Sequence, residues 1–502
     1  MANWLMRKIK GAAYDAGEQS RNRRDLRMFS RTAPRDEDRL VTNYSRQLAR
    51  ARCHDLRRNN PVVAGIGDRF SDYVVHHGVK PQSQTSSAEW NKRADDWFIN
   101  WSQIADARER LTLDEMCRLN VTSRLFDGEI FHLLLDSGKI MPVESERCRA
   151  PRGTYELPLG YDGVRIDSLG RVTNFCFHGR DRMGCFDGEH AEQWYSANDV
   201  LHVARPWRFD SIRPMPELSP IANVIADMQE LNNATLNTSK LQAMIALIIN
   251  KTGGAANPAF GLRTANGSTK LPGYADLRRV DNLMVMEGEH GDQMSGLDLK
   301  SPGSQYTPFM KLQLQWIGAC LGLPYEFVMM VFEGTSFSGS KALMMQAGRT
   351  VENWQFWLVD NFLQPLRTWR IAKAIKEGRL PPAPVDERGV SEWYKCQWQP
   401  PPMDWIDPQG QLQTDMQEYI IGATDLATIG RRRGKSWELV AVNKARELRR
   451  LDEIAKLEGP ANCKASDLSF FQIPGQTKDA QPDKAKSAPA NEKSEKKDED
   501  NV

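Results

Sequence analysis

The chain has 502 residues, 67 of them Lys or Arg and 65 Asp or Glu, and its formal charge of +2 singles out no class of partner. Such a length allows several domains or one elongated subunit. The N-terminal stretch MANWLMRKIKGAAYDAG has no apolar core for a signal peptide, and the longest apolar run, Ala243 to Ile249, falls far short of the ~20 residues of a membrane span, which predicts a soluble protein made in a cytoplasm.

Charge is uneven along the chain. In residues 1–58 basic side chains, among them Arg7, Lys8, Lys10, Arg21, Arg23 and Arg24, outnumber acids roughly two to one. Such an arm suits nucleic acid or an acidic protein surface, or is simply solvated. Beyond it, Asn60 and Pro61 stand where a helix cap and first turn belong, ahead of apolar residues at helical spacing through Val75. Trp90, Trp97 and Trp101 fall on one stripe of a second helix, which predicts that all three indoles face a core. Residues 112–140 give a helix and then the strand Gly128 to Leu135. From about 140 to 205 short alternating segments separated by turns predict an antiparallel β-module. Within it Cys176 and His178 share a strand face and, with Cys185 and His190, could ligate zinc. Their spacing matches no common zinc pattern, so ordinary buried or surface roles are expected. The chain's eight scattered cysteines likewise make no disulfide framework.

Pro220 suits a first helical turn, and no Pro or Gly follows until after Asn250, which predicts one helix ~45 Å long. Its middle, Gln229 to Lys240, is polar on most faces, unlike an ordinary core helix and like a wall that packs against copies of itself. Residues 251–304 are Gly-rich with two strand-like pieces, Ala275 to Val280 and Asn282 to Met286. Helices are then predicted over Tyr306 to Leu321 and over Gly339 to Glu377, the latter kinked near Pro365. Two more, Gln411 to Ile421 and Ser436 to Leu457, are joined by a basic turn, Arg431 to Lys435. From about Gly475 onward the composition predicts disorder.

Between the two central helices lies GTSFSGSK, Gly334 to Lys341. Its glycines have the spacing of a phosphate-binding loop, but Ser340 and Lys341 come in the reverse of the order that delivers Lys to the phosphates and a hydroxyl to Mg²⁺. The approach, Leu321 to Phe332, is interrupted by Pro324 and is no buried strand. A Ser/Gly loop with a capping Ser ahead of a helix is the expectation. Paired carboxylates for two-metal chemistry, Asp127 with Glu129 and Glu326 with Glu333, have no supporting motif.

Four segments resemble the lambda-type portal proteins of tailed bacteriophages. Asp55-Leu-Arg-Arg-Asn-Asn-Pro61 with the helix behind it is similar to that family's N-terminal signature. Phe126-Asp-Gly-Glu-Ile130 is similar to its Asp-Gly-Glu strand, and Leu321-Gly-Leu-Pro-Tyr-Glu326 to its Gly-Leu-Pro-Tyr-Glu turn. Trp405-Ile-Asp-Pro408 with Ile421-Gly-Ala-Thr-Asp425 resembles its C-terminal block. The order holds over residues 45–458. The chain departs from the family at Ser336-Phe-Ser-Gly-Ser-Lys341, where Asn-Tyr-Ser-Ser-x-Arg is common, and at Asp210 to Pro214, where Gln-x-Arg-Gly is usual.

The resemblance implies an α+β fold, an elongated subunit assembled in a ring of about twelve. It would comprise a basic arm (1–45), a wing of helices and β-module (46–219), a stem helix (220–250), a clip (251–304) and a returning stem helix (305–322). A channel loop (323–340), a long helix returning to the wing (341–405), a crown (406–460) and a disordered tail (461–502) would complete it. The ring would form a channel at one capsid vertex through which double-stranded DNA is packaged and later ejected. It would dock terminase and then head-tail adaptors, and meet the capsid and scaffold proteins, with no membrane, catalysis, cofactor or metal of its own. Ser336, Ser338, Ser340 and Lys341 would face the DNA at the channel loop, and Lys240 and Lys311 are stem candidates, all through weak, salt-sensitive contacts without base readout. The alternative from another class is a P-loop-like NTPase or a nuclease acting on DNA.

Overall fold

Two helices, α1 (Asn43–Asn59) and α2 (Pro61–Val75), come first among the described residues, and the junction between them follows from two side chains. The Asn60 carbonyl oxygen of the side chain accepts from the backbone N–H groups of Val62 and Val63 at 3.0 and 3.2 Å, while Pro61 occupies a first-turn position that needs no donor. The computed structural model describes residues 41, 43–151, 160–179, 192–249, 276–280, 283–287, 303–331, 336–403 and 408–458. The basic arm through residue 40, most of the Gly-rich insertion, and the tail lie outside them, as do Cys185, His190, Glu333 and Trp405.

Strand β1 (Lys80–Ser83) and helix α3 (Ala88–Ser102) follow, then α4 (Leu113–Phe126), which opens on a capping box between Thr112 and Glu115. Helices α2 and α4 lie so close that a Cβ on Gly67 would stand 2.8 Å from the Phe126 ring. The α3 tryptophan stripe is not uniformly internal. Trp90 and Trp101 are buried, and Trp97 is partly buried against the same core, with the Arg370 guanidinium 4.6 Å from its ring centroid.

The β-module is two antiparallel sheets, as the alternation predicts. Strand β2 (Glu129–Leu134) lies between β3 (Ile140–Val143) and β8 (Val200–Ala204). A four-stranded meander of β4 (Gly160–Tyr161), β5 (Val164–Ile166), β6 (Val172–His178) and β7 (Glu192–Ser196) packs on it. Phe131, Phe175 and Phe177 make the shared core, the Phe131 ring lying 5.3 and 5.1 Å from the other two, edge to face. Cys176 and His178 are both buried in β6, and no cluster of three or more metal-ligating side chains occurs among the described residues.

The long central helix is shorter than its lack of breakers suggests. Helix α5 spans Ala222–Met244, and Ile245–Ile249 leave it as strand β9. These residues pair in parallel with β11 (Leu283–Glu287), whose other edge carries β10 (Asp276–Val280) antiparallel. Helix α6 spans Tyr306–Leu321, matching the sequence expectation, and a short α7 covers Tyr325–Met329.

The next helix is two helices. α8 (Phe337–Leu358) passes through a π-turn, Val359–Leu363, into α9 (Gln364–Lys376). Pro365 has no N–H to give the Asn361 carbonyl, so the irregularity falls in the turn before it rather than at it. The Asn361 amide donates to the Trp357 carbonyl at 2.9 Å and satisfies one acceptor there. α9 buries two arginines. Arg367 donates to the Ser83 hydroxyl and to Asp95, and Arg370 lies against Trp97 and Trp101, 4.6 and 5.6 Å from their ring centroids.

Strand β12 (Cys396–Gln399) pairs with β1 and brings the chain back to α3. The C-terminal helices are α10 (Pro408–Ile420), α11 (Leu426–Arg432) and α12 (Trp437–Glu458). Residues Arg431 and Arg432 belong to α11 rather than to a bare turn, because the Asp425 side chain caps that helix by accepting from Thr428 N–H at 2.7 Å. Buried Asp415 receives Arg433 at 2.7 Å and Arg432 at 3.5 Å, tying α10 to α11.

Candidate nucleic-acid interface

Beyond Met228, no α5 residue as far as Lys240 is buried, and Asn232, Asn233, Leu236, Asn237 and Lys240 are exposed. The Thr235 and Thr238 hydroxyls turn back onto the Leu231 and Ala234 carbonyls, 2.9 Å each, so they add nothing to a core. Helix α6 lies alongside, held by the Tyr306 hydroxyl donating to Asn232 Oδ1 at 2.7 Å. Its Leu314, Ile317 and Leu321 face inward, whereas Phe309, Leu312 and Trp316 stand 46, 44 and 50% exposed on the other side. Two helices with solvent-facing polar and apolar surfaces are therefore left unpacked in the single subunit.

The turn after α6 is set by close backbone approach. Gly322 ends the helix at φ 70° and accepts from the Thr350 hydroxyl at 2.6 Å, while a Cβ on Gly318 would meet the Leu323 carbonyl oxygen at 2.5 Å. Arg69 of α2 donates to the Val328 carbonyl at 2.7 Å and anchors α7.

At the far side of residues 332–335, Ser336 is the N-cap of α8, its Oγ accepting from Gly339 N–H at 3.2 Å. Ser338 is exposed and reaches the Ser336 hydroxyl at 3.3 Å. Ser340 is half-buried in the first turn, and Lys341 is exposed, with no ion-pair partner among the described residues. Ser340 and Lys341 thus lie within a helix whose first donors a serine already caps. Ser336→Ala is expected to cost about 1 kcal/mol locally, seen as faster amide exchange over residues 337–340 with the rest of α8 unchanged.

The two other lysines differ. Lys240 is exposed on α5, whereas Lys311 lies over the Tyr325 ring, 5.1 Å from its centroid, so part of its charge is directed onto its own subunit.

Sequence reasoning missed the strongest electrostatic feature, which lies away from this surface. Glu129 of β2 is fully buried and its Oε1 accepts from Arg50 at 2.6 Å, from the Ser145 hydroxyl at 2.7 Å and from Arg213 Nε at 2.8 Å; Oε2 meets His202 at 2.8 Å. Arg213 also reaches Asp162, as does Arg46, both at 3.0 Å. Burial alone would raise the Glu129 carboxyl, but Arg213, His202 and Arg50 outweigh it and hold it well below the ordinary range. With Oε1 shared among Arg50, Arg213 and Ser145 and Oε2 meeting His202, Glu129 closes the β-module onto α1. Its neighbour Asp127 accepts from His54 at 2.6 Å and raises that imidazole's pKa. The opposite case is His132, fully buried against Phe362, where desolvation pushes the ring down to about 3.

Comparison with known proteins adds the following. The family profile described as phage portal protein, lambda family, matches residues 24–355, so it begins inside the basic arm and stops before α9 and the C-terminal helices. A protein named Portal protein from Escherichia phage N15 is 23% identical over 349 residues, 60% of this chain and 64% of that protein. The chain therefore spans less than two-thirds of that relative's length. Among solved structures, the neck of an empty GTA particle computed with C6 symmetry aligns over 75% of this chain and 92% of that one, with 11% identity and a TM-score of 0.37. The neck of a native GTA particle computed with C12 symmetry aligns over 74% and 89%, with 12% identity and a TM-score of 0.36.

Proposed function

The chain belongs to the lambda family of phage portal proteins, and from that premise we propose that about twelve copies form a ring around a channel for double-stranded DNA at one vertex of a phage capsid. DNA enters through this channel during packaging and leaves through it at ejection. The observation that carries the reading is the unpacked pair α5 and α6, with polar α5 suited to line a water-filled tunnel and the Phe309, Leu312 and Trp316 face of α6 suited to a neighbouring copy. A cyclic ring uses heterologous contacts, so two unlike surfaces per subunit are what it requires.

In this arrangement α5 and α6 are the stem, β9 to β11 belong to the clip that meets terminase and later the head-tail adaptors, and α10 to α12 are the crown. The β-module and its flanking helices form the wing beside capsid and scaffold proteins. The segment from Gly322 to Lys341 borders the channel. Ser336, Ser338 and Ser340 give it a surface without bulk, and Lys341, with Lys240 on the stem, places rings of single positive charges near phosphates. Such contacts let DNA slide, because each is weak and none reads a base. The work of moving DNA is assigned to a separate ATPase docked on the clip.

The first test is the assembly state of the purified protein by mass photometry and electron-microscopic class averages. Rings of about twelve with a central hole are expected, and a stable monomer or dimer that hydrolyses ATP would overturn the reading. Lys341→Ala should leave rings intact while lowering duplex affinity equally for all sequences and flattening its salt dependence, measured by fluorescence anisotropy across a salt series.

A further inference from the structure

Along α8 runs a cleft of about 710 Å³, from Lys341 to Asp360, whose opposite wall is Trp398 to Met403 and the face of α11 carrying Thr428 and Arg431. Its floor is apolar and uncovered: Met345 and Phe356 are 50 and 57% exposed. Methionines at such a floor adapt to an irregular guest, and an apolar cleft of this size on a folded subunit calls for an occupant. The rim carries both signs, Lys341, Arg349 and Arg431 standing with Glu352 and Asp360.

The 44 residues after Glu458 contain two aromatic side chains, Phe470 and Phe471, both inside Asp467-Leu-Ser-Phe-Phe-Gln-Ile-Pro474. A tail that only needs to stay solvated gains nothing from Leu468, Phe470, Phe471 and Ile473 in one short stretch. Reach permits their return. Gly434, just before α12, is so near the cleft wall that a Cβ there would stand 2.7 Å from Pro402. The 22 residues of α12 then lead ~33 Å away, and the 13 residues from Gly459 through Phe471 extend up to ~43 Å. Asp467 is the segment's one charged residue, so the stretch that returns is chiefly apolar, like the floor.

We propose that Asp467 to Pro474 dock in the α8 cleft of their own chain, Phe470 and Phe471 on the methionine floor, latching the C-terminal helices onto α8. The proposal concerns the subunit and holds whether or not rings form. The test places a benzophenone side chain at position 471 of the full-length protein, in a mixture of light- and heavy-isotope chains. Crosslinks within one chain to Met344, Met345 or Met403 are expected. Crosslinks scattered over other surfaces, or joining light to heavy chains, would overturn the proposal. Independently, the full-length Phe470→Ser, Phe471→Ser double variant should exchange amides of residues 396–399 and 341–349 about tenfold faster than the parent. Unchanged exchange would mean that the segment does not cover the cleft.

Discussion

Glu129→Ala is expected to destabilise the subunit by about 3–5 kcal/mol, enough to unfold much of the β-module at ordinary temperature. The substitution leaves Arg50 and Arg213 buried without their shared carboxylate and releases the Ser145 hydroxyl and His202 at the same point. Urea unfolding followed by circular dichroism measures the loss, and Glu129→Gln, which keeps one acceptor oxygen but no charge, should fall between the two. A loss under about 1 kcal/mol would show that water or a rearranged Asp162 compensates the arginines. The parent protein carries the same dependence on pH. Because the folded Glu129 carboxyl titrates below its ordinary value of 4.5, its contribution is complete above that pH and is lost as the pH falls toward the folded value. The Ala variant should lack this step.

Trp316→Glu is expected to do the reverse, sparing the subunit and abolishing the ring. Trp316 is half-exposed, so losing its buried half should cost the subunit about 1 kcal/mol, well short of unfolding it. In a ring the same position would be buried against a neighbour at each of about twelve contacts, and an unpaired carboxylate there costs several kcal/mol every time. Mass photometry at fixed concentration separates the outcomes. Rings of unchanged size would place the α6 face outside the subunit contacts, and an aggregated or unfolded monomer would show that Trp316 supports the subunit itself.

Much of this fold could be read from local chemistry. The Asn60-Pro61 start of α2, the bounds of α6 and the Ser336 cap each depend on residues within a turn or two of one another. What was not legible depends on distant partners. Nothing around Ile245–Ile249 announces a strand, since a run without Pro or Gly is equally compatible with helix, and the pairing that decides it comes from β11, beyond the insertion. The irregularity after α8 is signalled by Pro365, but its position one turn earlier follows from the donor that proline lacks. Asp425 with Thr428 was a readable cap signal for α11, masked by the basic run behind it. The Glu129 cluster draws on α1, β2, the residues before β4 and the chain ahead of α5. Its members were visible singly, Glu129 within a family motif and Arg213 inside a stretch that departs from one, but their meeting is a tertiary event.

The π-turn at Val359–Leu363 also acts as a phase setter. An α-helix rotates about 100° per residue, so the extra residue held in the wider turn decides which way every later side chain of α9 points. Removing a single residue there would mend the helix and swing Arg367 away from Asp95 and Arg370 away from the two tryptophans, with no change in the composition of either surface. The orientation of α9 against α3 is thus stored as a count of residues, and an insertion or deletion in that turn would be felt more sharply than most substitutions on either side of it.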